Sequence, residues 1–600
     1  MSIVSWGVCL PFLRDLDSKL QLAASYVKTI TNSYAPVNRI PVEVLNTILR
    51  LTIDHIPNFR PTLPRDPYYG TVQDLVWPYR NFTRATRVCR YWRTVSVQFA
   101  SNWSTIQIFG RSGRHDQDAD TALSSKFASL CLRRAASSPL DIALYTRPTD
   151  LWWEDNLLAQ MHRFRLLAID DVDILPNLCH PAPLLQSLTI EPTWRSGGLR
   201  PPATIPLLFD GSAPSLRYLS IRYFVPWPAN TFADLTHLCL QGDGTSPPYN
   251  FAQCIDFLAS TLQLQELVLA FVESATLRDE SDRIVALHSL RRLAFYNCSQ
   301  PVIARTLSHI TLSPQTVLAI RFQRHGGWRP DRDLDYFACL PQDVQRVLDP
   351  LALTRFCMLQ DDPQASWVRF VGCAPVPAPA TGDNGNEADA RSPSAFDLSP
   401  GLVVGGLGRG VPTENVSRLL RACAVEELWT SPLRAGSRLT LSSRHPVLDE
   451  QVWRVLFGAL PFLRRLVLGD WRRYATDPDG CVPALLDPSL CPHLTELWVI
   501  GDWAVKVLCQ LASVRQAAGK PIERIVFRRR PEHQQPDPGG PRMLVEHQLF
   551  WEQANDLEEL SRLVERVDFE EFDDFSVSLP DVCFEKRHAY WGSWKNANTL

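Results

Sequence analysis

Leu463-Arg464-Arg465-Leu466-Val467-Leu468 is a phrase that this 600-residue chain repeats, with variations, over much of its length. Leu466 and Leu468 alternate about Val467, so in an extended strand they share one face, and Leu463 fills the turn before it. The same apolar-x-x-apolar-x-apolar spacing occurs at Phe164/Leu167/Ile169, Leu185/Leu188/Ile190, Leu216/Leu219/Ile221 and Leu235/Leu238/Leu240. It continues at Leu264/Leu267/Leu269 and Leu290/Leu293/Phe295, weakens at Gln315/Leu318/Ile320, and is then interrupted. It resumes at Val425/Leu428/Thr430, passes through the opening phrase, and recurs at Leu494/Leu497/Val499 and Ile522/Ile525/Phe527. Pro183, Pro214, Pro314, Pro461, Pro492 and Pro521 introduce several copies. Such self-similarity predicts a solenoid of the α/β class, its parallel strands backed by helices, for example Cys254 to Ser260 and Asp449 to Leu460. A buried Leu contributes about 1.5–3 kcal/mol, but only once the next repeat covers it.

Ahead of the repeats stands Asn38-Arg39-Ile40-Pro41-Val42-Glu43-Val44-Leu45-Asn46-Thr47-Ile48-Leu49. Pro41 suits the opening of a helix, where its missing N–H has no intrahelical partner to lose. Val44, Leu45, Ile48 and Leu49 then share an apolar face. A second piece, from Thr83 to Arg93, gives Ala85, Val88, Cys89, Trp92 and Val95 a comparable stripe, and Asn102-Trp103 closes it. Two such short helices need each other, and a partner, to bury what they carry.

This arrangement resembles the F-box, the adaptor-binding module of substrate receptors in Skp-cullin-F-box ubiquitin ligases. The resemblance rests on Ile40-Pro41 (usually Leu-Pro), Glu43, the Val44/Leu45 and Ile48/Leu49 faces, and Val88-Cys89 followed by Trp92. It implies that these ten residues bind a Skp-type adaptor and, through it, a cullin. The connection from Thr52 to Phe82 is much longer than in a compact F-box; its Pro and aromatic content reads as an ordered surface insertion. The repeats resemble a leucine-rich-repeat array of irregular form. Their central leucines lie from 19 residues apart (Leu219 to Leu238) to 31 (Leu188 to Leu219), mostly without the Asn or Cys that caps regular repeats. The combination, with its many Trp residues and the phrase Arg515-Gln516-Ala517-Ala518-Gly519-Lys520-Pro521-Ile522, resembles the large F-box families of mushroom-forming fungi.

Composition sets further bounds. The chain is 45% hydrophobic and 21% charged, which is globular, with a formal net charge of -3 that offers no basic excess for nucleic acid. Its 15 cysteines include no C-x-x-C and read as reduced thiols of the cytoplasm or nucleus. The apolar opening, Ile3 to Leu13, lacks a basic leader, and no run of 18 apolar residues follows, so neither a signal peptide nor a membrane span is expected.

Six segments result: an N-terminal helix (1–37, its periodic part 12–30) packing on the next module; the F-box (38–106, insertion about 54–82); a first array (107–373); a flexible linker (374–411); a second array (412–530); and a C-terminal loop, helix (Met543 to Val564) and acidic cap (531–600). The linker follows from Ala374-Pro375-Val376-Pro377-Ala378-Pro379-Ala380 and the polar run after it. Gly401 to Gly410 is glycine-rich, but G-x-G-x-x-G fails because Val411 holds the third position from Gly406. Asp170, Asp171 and Asp173 read as a loop, His445 and His493 lack a second metal ligand, and the hydrolase and zinc motifs are missing. No enzyme activity and no cofactor are therefore expected.

Residues beside the inward pair would line one outward face: Tyr218, Arg222, His237, Glu266, Arg292, Tyr296, Arg321, Glu427, Trp429, Arg465, Trp498, Arg524 and Arg528. Tyr, Trp and Arg are the types enriched at binding hot spots. Tyr218, Arg222, Arg292, Tyr296, Arg321, Trp429, Arg465 and Trp498 are the expected contacts to an unidentified protein substrate. The rival expectation is an interaction scaffold whose F-box-like helices only cap the solenoid.

Overall fold

The computed structural model describes residues 4–53, 79–108, 117–144, 156–169, 172–190, 207–222, 230–242, 251–272, 283–322, 339–360, 368–373, 400–407, 413–432, 450–468, 481–500, 505–529 and 554–571. They belong to two compact units, one mainly Met1–Leu219 and the other mainly Thr231–His588. The fold is mixed α/β, with helices first and parallel sheet after, compatible with a solenoid-like arrangement.

The first unit opens with α1 (Val4–Ser33), α2 (Val42–Leu51), α3 (Arg80–Ala85) and α4 (Arg90–Gln98), and then β1 (Thr105–Ile108). After α5 (Gln117–Arg134) come β2 (Leu140–Leu144), β3 (Phe164–Ile169) and β4 (Ser187–Ile190), each parallel to the strand before. β5 (Tyr218–Arg222) falls at the boundary between the units. Tyr79, Phe82 and Trp103 form a buried cluster between helices and sheet, with ring centroids 5.5–6.0 Å apart. Arg134 lies over the Trp103 ring at 4.3 Å, and Tyr79 Oη donates to the Thr105 carbonyl at 2.7 Å. The helices therefore share one core with the first strands.

Three expectations change here. The expected surface insertion ends inside the core, since Tyr79 and Phe82 are buried; residues 54–78 lie outside the described set. The stripe from Ala85 to Val95 is not one helix but α3, a turn and α4, because Cys89 is extended (φ -155°) and its Sγ accepts from Trp92 N at 3.5 Å as the cap of α4. α1 does not bury its apolar side chains against the neighbouring helices: Leu13, Leu16, Leu20 and Val27 are all exposed.

In the second unit β6 (His237–Gln241), α6 (Phe251–Ser260), β7 (Glu266–Ala270), β8 (Val285–Ala286), β9 (Arg292–Tyr296), α7 (Gln300–His309), β10 (Ile310–Thr311) and β11 (Val317–Arg321) follow one another, and β6, β7, β9 and β11 are the strands that the periodicity predicts. β6, β7, β9 and β11 pair in parallel, and β8 with β10 forms a small separate ribbon. A short helix α8 (Val344–Leu348) precedes an antiparallel meander of β12 (Arg355–Gln360), β13 (Val368–Cys373) and β14 (Pro400–Leu407). The meander runs backwards through the sheet: its last strand, β14, lies parallel beside β11. Its first, β12, lies beside β15 (Glu427–Pro432), which follows α9 (Thr413–Ala422). α10 (Glu450–Gly458), β16 (Arg465–Leu468), α11 (Cys481–Leu485), β17 (Glu496–Ile500), α12 (Val505–Ala517) and β18 (Arg524–Arg529) continue the array. The helix Ala554–Leu563 and β19 (Arg566–Glu571), parallel to β18, end the described part.

The expected linker 374–411 is thus corrected in part: 400–407 is a strand inside the sheet, stabilised by pairing on both sides, while 374–399 and 408–411 lie outside the described residues. Of the helix expected from Met543 to Val564, only Ala554–Leu563 is described. Of the acidic cap, Asp568 to Glu571 lie in β19, while 572–600 are outside the described residues.

One register row explains the packing. Leu238, Leu267, Leu293, Leu318 and Leu402 lie in line and lead through Gly372 to Phe356, Leu428, Leu466, Leu497 and Ile525. Except for Gly372, all are large apolar side chains at 0–1% exposure. A Cβ on Gly372 would stand 3.0 Å from the Phe356 ring, so the glycine leaves that ring its place in the row.

The repeats are also tied by cations reaching back to the carbonyls of an earlier segment. Buried Arg163 donates from Nη2 to the Ser138 carbonyl at 2.9 Å, just past the end of α5. Arg515, wholly buried in α12, donates from Nη2 to the Cys491 carbonyl at 2.8 Å and from Nη1 to that of Leu490 at 3.3 Å. Arg418 reaches the Leu340 carbonyl at 3.2 Å, and Lys520 that of Pro488 at 3.0 Å. Burial lowers the pKa of Arg163 and Arg515, yet a guanidinium keeps its charge over the physiological range. Cysteines share this work: Cys298 Sγ donates to the Leu269 carbonyl at 3.3 Å and Cys491 Sγ to that of Phe457 at 3.6 Å. Burial pushes both thiols up to about 12.

Candidate functional site

Two surfaces follow from the sequence, and the structure treats them differently. At the first, Pro41 (φ -52°) caps α2, accepting from Leu45 N at 3.0 Å, and Glu43 stands in the first turn, where a carboxylate suits the helix dipole. α2 packs against α3 and α4. Asn102 Nδ2 donates to Asn46 Oδ1 at 2.8 Å, Trp92 Nε1 to Asn38 Oδ1 at 2.7 Å, and Trp103 Nε1 to the Ser96 carbonyl at 3.0 Å.

This divides the ten expected adaptor contacts. Leu45 and Leu49 are buried and hold the helices together, so they do not reach a partner directly. Cys89 is the cap of α4, while Trp92 and Ile40 are half-buried, Trp92 through its bond to Asn38. Val44, Ile48 and Val88 are the apolar members left in solvent, at 47%, 40% and 61% exposure, with Pro41 and Glu43 also exposed. Leu51, absent from the expectation, is 73% exposed and extends Val44 and Ile48 along α2 at i+7; the i, i+4, i+7 spacing was the available signal.

The second surface is the outward face of the strands. Register spreads the expected residues over three rows. Arg292 lies with His237 and Glu266 in one row, and Arg465 with Glu427, Glu496 and Arg524 in its continuation. Trp429 and Trp498 occupy the next outward row, while Tyr296 pairs with Arg321 in a third. Tyr218 and Arg222 lie on β5.

These groups are not free. Trp429 and Trp498 are only 2% and 7% exposed, and Tyr296 is buried as well, because the flanking charged side chains fold over them. Arg465, Arg524 and Arg528 lie 4.9, 5.9 and 4.2 Å from the Trp498 ring centroid. Each arginine also holds a carboxylate: Arg465 Nε to Glu496 at 2.7 Å, Arg524 Nε to Asp568 at 2.7 Å, and Arg528 Nη2 to Glu570 at 2.7 Å. Arg465 Nη1 reaches Glu427 at 3.3 Å, and Arg355 Nη2 reaches the same carboxylate at 3.2 Å. The tryptophans expected as bare anchors instead floor an ion-pair ladder.

The ladder sets its own electrostatics. Burial alone pushes the Glu496 carboxyl up, but the hydrogen bond and charge of Arg465, with Trp498 and Arg524, hold it below its ordinary value. The Arg566 and Arg524 guanidiniums do the same for Asp568. A ligand meeting this face therefore meets paired guanidinium and carboxylate edges, with Arg566 at 66% and Arg465 at 33% side-chain exposure the more open of the arginines named.

Among the described residues no group of three His, Cys, Asp or Glu is placed to hold a metal, and no helix is long and apolar enough to cross a membrane. His445, Asp170 and Asp171 lie outside the described residues, as do Arg409 and Gly410 of the glycine-rich stretch. Neither the protein-family models nor the curated proteins include a match to this chain.

Proposed function

We propose that the chain is a non-catalytic substrate receptor of a Skp-cullin-F-box type ubiquitin ligase. In this reading α2 to α4 dock on a Skp-type adaptor and, through it, a cullin. The strand face captures a target protein, and the chain contributes proximity rather than chemistry. The observation that carries the proposal is the division within α2: Leu45 and Leu49 are spent on the internal core, while Val44, Ile48 and Leu51 stand in solvent beside a Pro-opened helix end. A helix that served only the interior would keep its apolar stripe inside. A cytoplasmic or nuclear site fits this role and the buried free thiols.

The test is co-purification of the full chain with a Skp-type adaptor. Val44→Glu with Ile48→Glu changes two exposed side chains, so the fold should persist while adaptor binding is lost. Retained binding would sink the proposal.

A second reading is an interaction scaffold in which these helices are only a cap. The shared core of Tyr79, Phe82 and Trp103 with the first strand favours it. Under that reading wild-type chain binds no adaptor, and the double substitution changes nothing.

A further inference from the structure

The helices α3 and α4 carry a charge pattern that the apolar contacts of α2 leave unused. Between Asp74 and Asp116 the chain has no Asp or Glu, but it has seven arginines. The whole chain is slightly acidic, with 61 Lys and Arg against 64 Asp and Glu, so this run is a local departure from its average. Like charges this close repel one another, and a partner of opposite sign would relieve the repulsion.

The surrounding structure does not relieve it. Arg84, Arg87, Arg90 and Arg93 are all exposed, and among the described residues none of them pairs with a carboxylate. Arg90 Nη2 donates to Ser25 Oγ at 2.5 Å and Arg93 Nε to the Thr86 carbonyl at 3.3 Å, both neutral acceptors. The strand face is the opposite case, since Arg292, Arg355, Arg465, Arg524 and Arg528 each hold a carboxylate. The same chain neutralises its arginines on one surface and leaves them open on another.

Three of the open arginines gather at the turn between α3 and α4. Its backbone closes through Arg87 N to the Arg84 carbonyl at 3.0 Å and Val88 N to that of Ala85 at 3.1 Å. Arg93, from the first turn of α4, folds back onto Thr86. Arg84, Arg87 and Arg93 thus meet where Val88 stands in solvent at 61% exposure.

An apolar centre with a polar, solvent-accessible rim is the anatomy of a protein interface. A nucleic acid would be held through the charges and leave Val88 in water. A helix lying on a bilayer carries cations along its polar face, whereas α2 has Glu43 in its first turn and no cation before Arg50. We infer that Arg84, Arg87 and Arg93 dock against an acidic protein surface whose carboxylates surround the apolar site that takes Val88. That surface belongs to the Skp-type adaptor, an identification that rests on the receptor reading above. Rim charges act on encounter more than on the lifetime of a complex, so the face divides its work: the arginines steer the partner in, and the aliphatic side chains hold it.

Interferometry with immobilised Skp-type adaptor and the full chain in solution separates the two contributions. Wild-type association should slow by about tenfold or more between about 0.1 and about 1 M salt, as the screening length falls from about 10 to about 3 Å. Arg84→Glu with Arg87→Glu should slow association by about 30-fold at the lower salt and change dissociation less than about threefold. Arg87→Gln, which only removes a charge at an exposed turn, should slow association by about threefold and covers the case in which the double reversal unfolds the module. Arg421→Glu with Lys506→Glu makes the same charge change at exposed positions of the second unit and should alter association less than about twofold. Wild-type binding that ignores salt, an equal loss with the second-unit pair, or a reversal that acts only on dissociation would overturn the inference while leaving the receptor reading intact. A wild type that does not bind the adaptor overturns both, and its salt-dependent binding to phosphatidylserine vesicles or single-stranded RNA would assign the arginines to phosphates.

Discussion

In β6, β7 and β9 the middle outward positions hold Cys239, Val268 and Ala294; at the same positions of β15, β16 and β17 stand Trp429, Val467 and Trp498. One row inward the two regions are alike, with Leu238, Leu267 and Leu293 in one and Leu428, Leu466 and Leu497 in the other. Around the small side chains the charged row crosses three strands: Arg292 of β9 joins Glu266 of β7 at 3.0 Å, His237 of β6 lies 4.0 Å from the same carboxylate, and Arg292 reaches over Ala294 to the Tyr296 hydroxyl at 3.0 Å. Around the tryptophans it runs from strand to strand, from Arg355 to Asp568. The inward row is constrained by the next repeat's volume, so it converges. The outward row is constrained only by what lies across its own surface, so it is free to specialise.

The largest break in this comparison should come from Trp498→Ala, which removes the floor beneath three guanidiniums. We expect a loss of about 3–5 kcal/mol against about half that for Val268→Ala, read by calorimetry. The inward residues should behave as equals: Leu466→Ala and Leu267→Ala each cost about 2–5 kcal/mol, and a several-fold inequality would show that the two regions do not share one packing rule. Gly242→Ala should cost about 2–3 kcal/mol, because the new Cβ meets the Phe271 carbonyl oxygen at 2.2 Å. Gly372→Ala should cost less, since its obstacles are the movable Phe356 ring and Leu353 methyl.

Smallest in size, and most specific to the ladder, is a pH effect. The folded chain holds Glu496 and Asp568 below their ordinary pKa, so their contribution is complete above about pH 4.3 and is lost as pH falls through the depressed values. Glu496→Gln should lower stability by about 1 kcal/mol at neutral pH and flatten the acid limb of an unfolding titration. An unchanged acid limb would mean the carboxylate contributes nothing beyond its neutral isostere.

What was legible in the sequence follows the same division. The inward rows were readable because volume demands a period, and the copies from Leu167 to Ile525 are strands as expected. Three strands carried the pattern unnoticed: Trp103/Ile106/Ile108, Leu353/Phe356/Met358 and Val564/Val567/Phe569. β14 could not be read, since Gly405-Gly406 after a polar run resembles a linker until β11 and β13 pair with it. On α2 the sequence grouped Val44 with Leu45 and Ile48 with Leu49, but could not say which member of each pair faces inward. That depends on Asn46 and Asn38 gripping Asn102 and Trp92, contacts more than 50 positions apart. The outward tryptophans were legible as residues and misread as open, because their cover comes from neighbouring strands.

The cations that reach back to earlier carbonyls give the chain a direction. Arg163 and Arg515 each close the polar end of a segment that precedes them in the chain. Removing the C-terminal repeat would therefore strip that cover from the one before it. Such an array is open to growth at one terminus and resists being shortened from it: a new final repeat must arrive with its own backward-reaching arginine, or be sealed by something else.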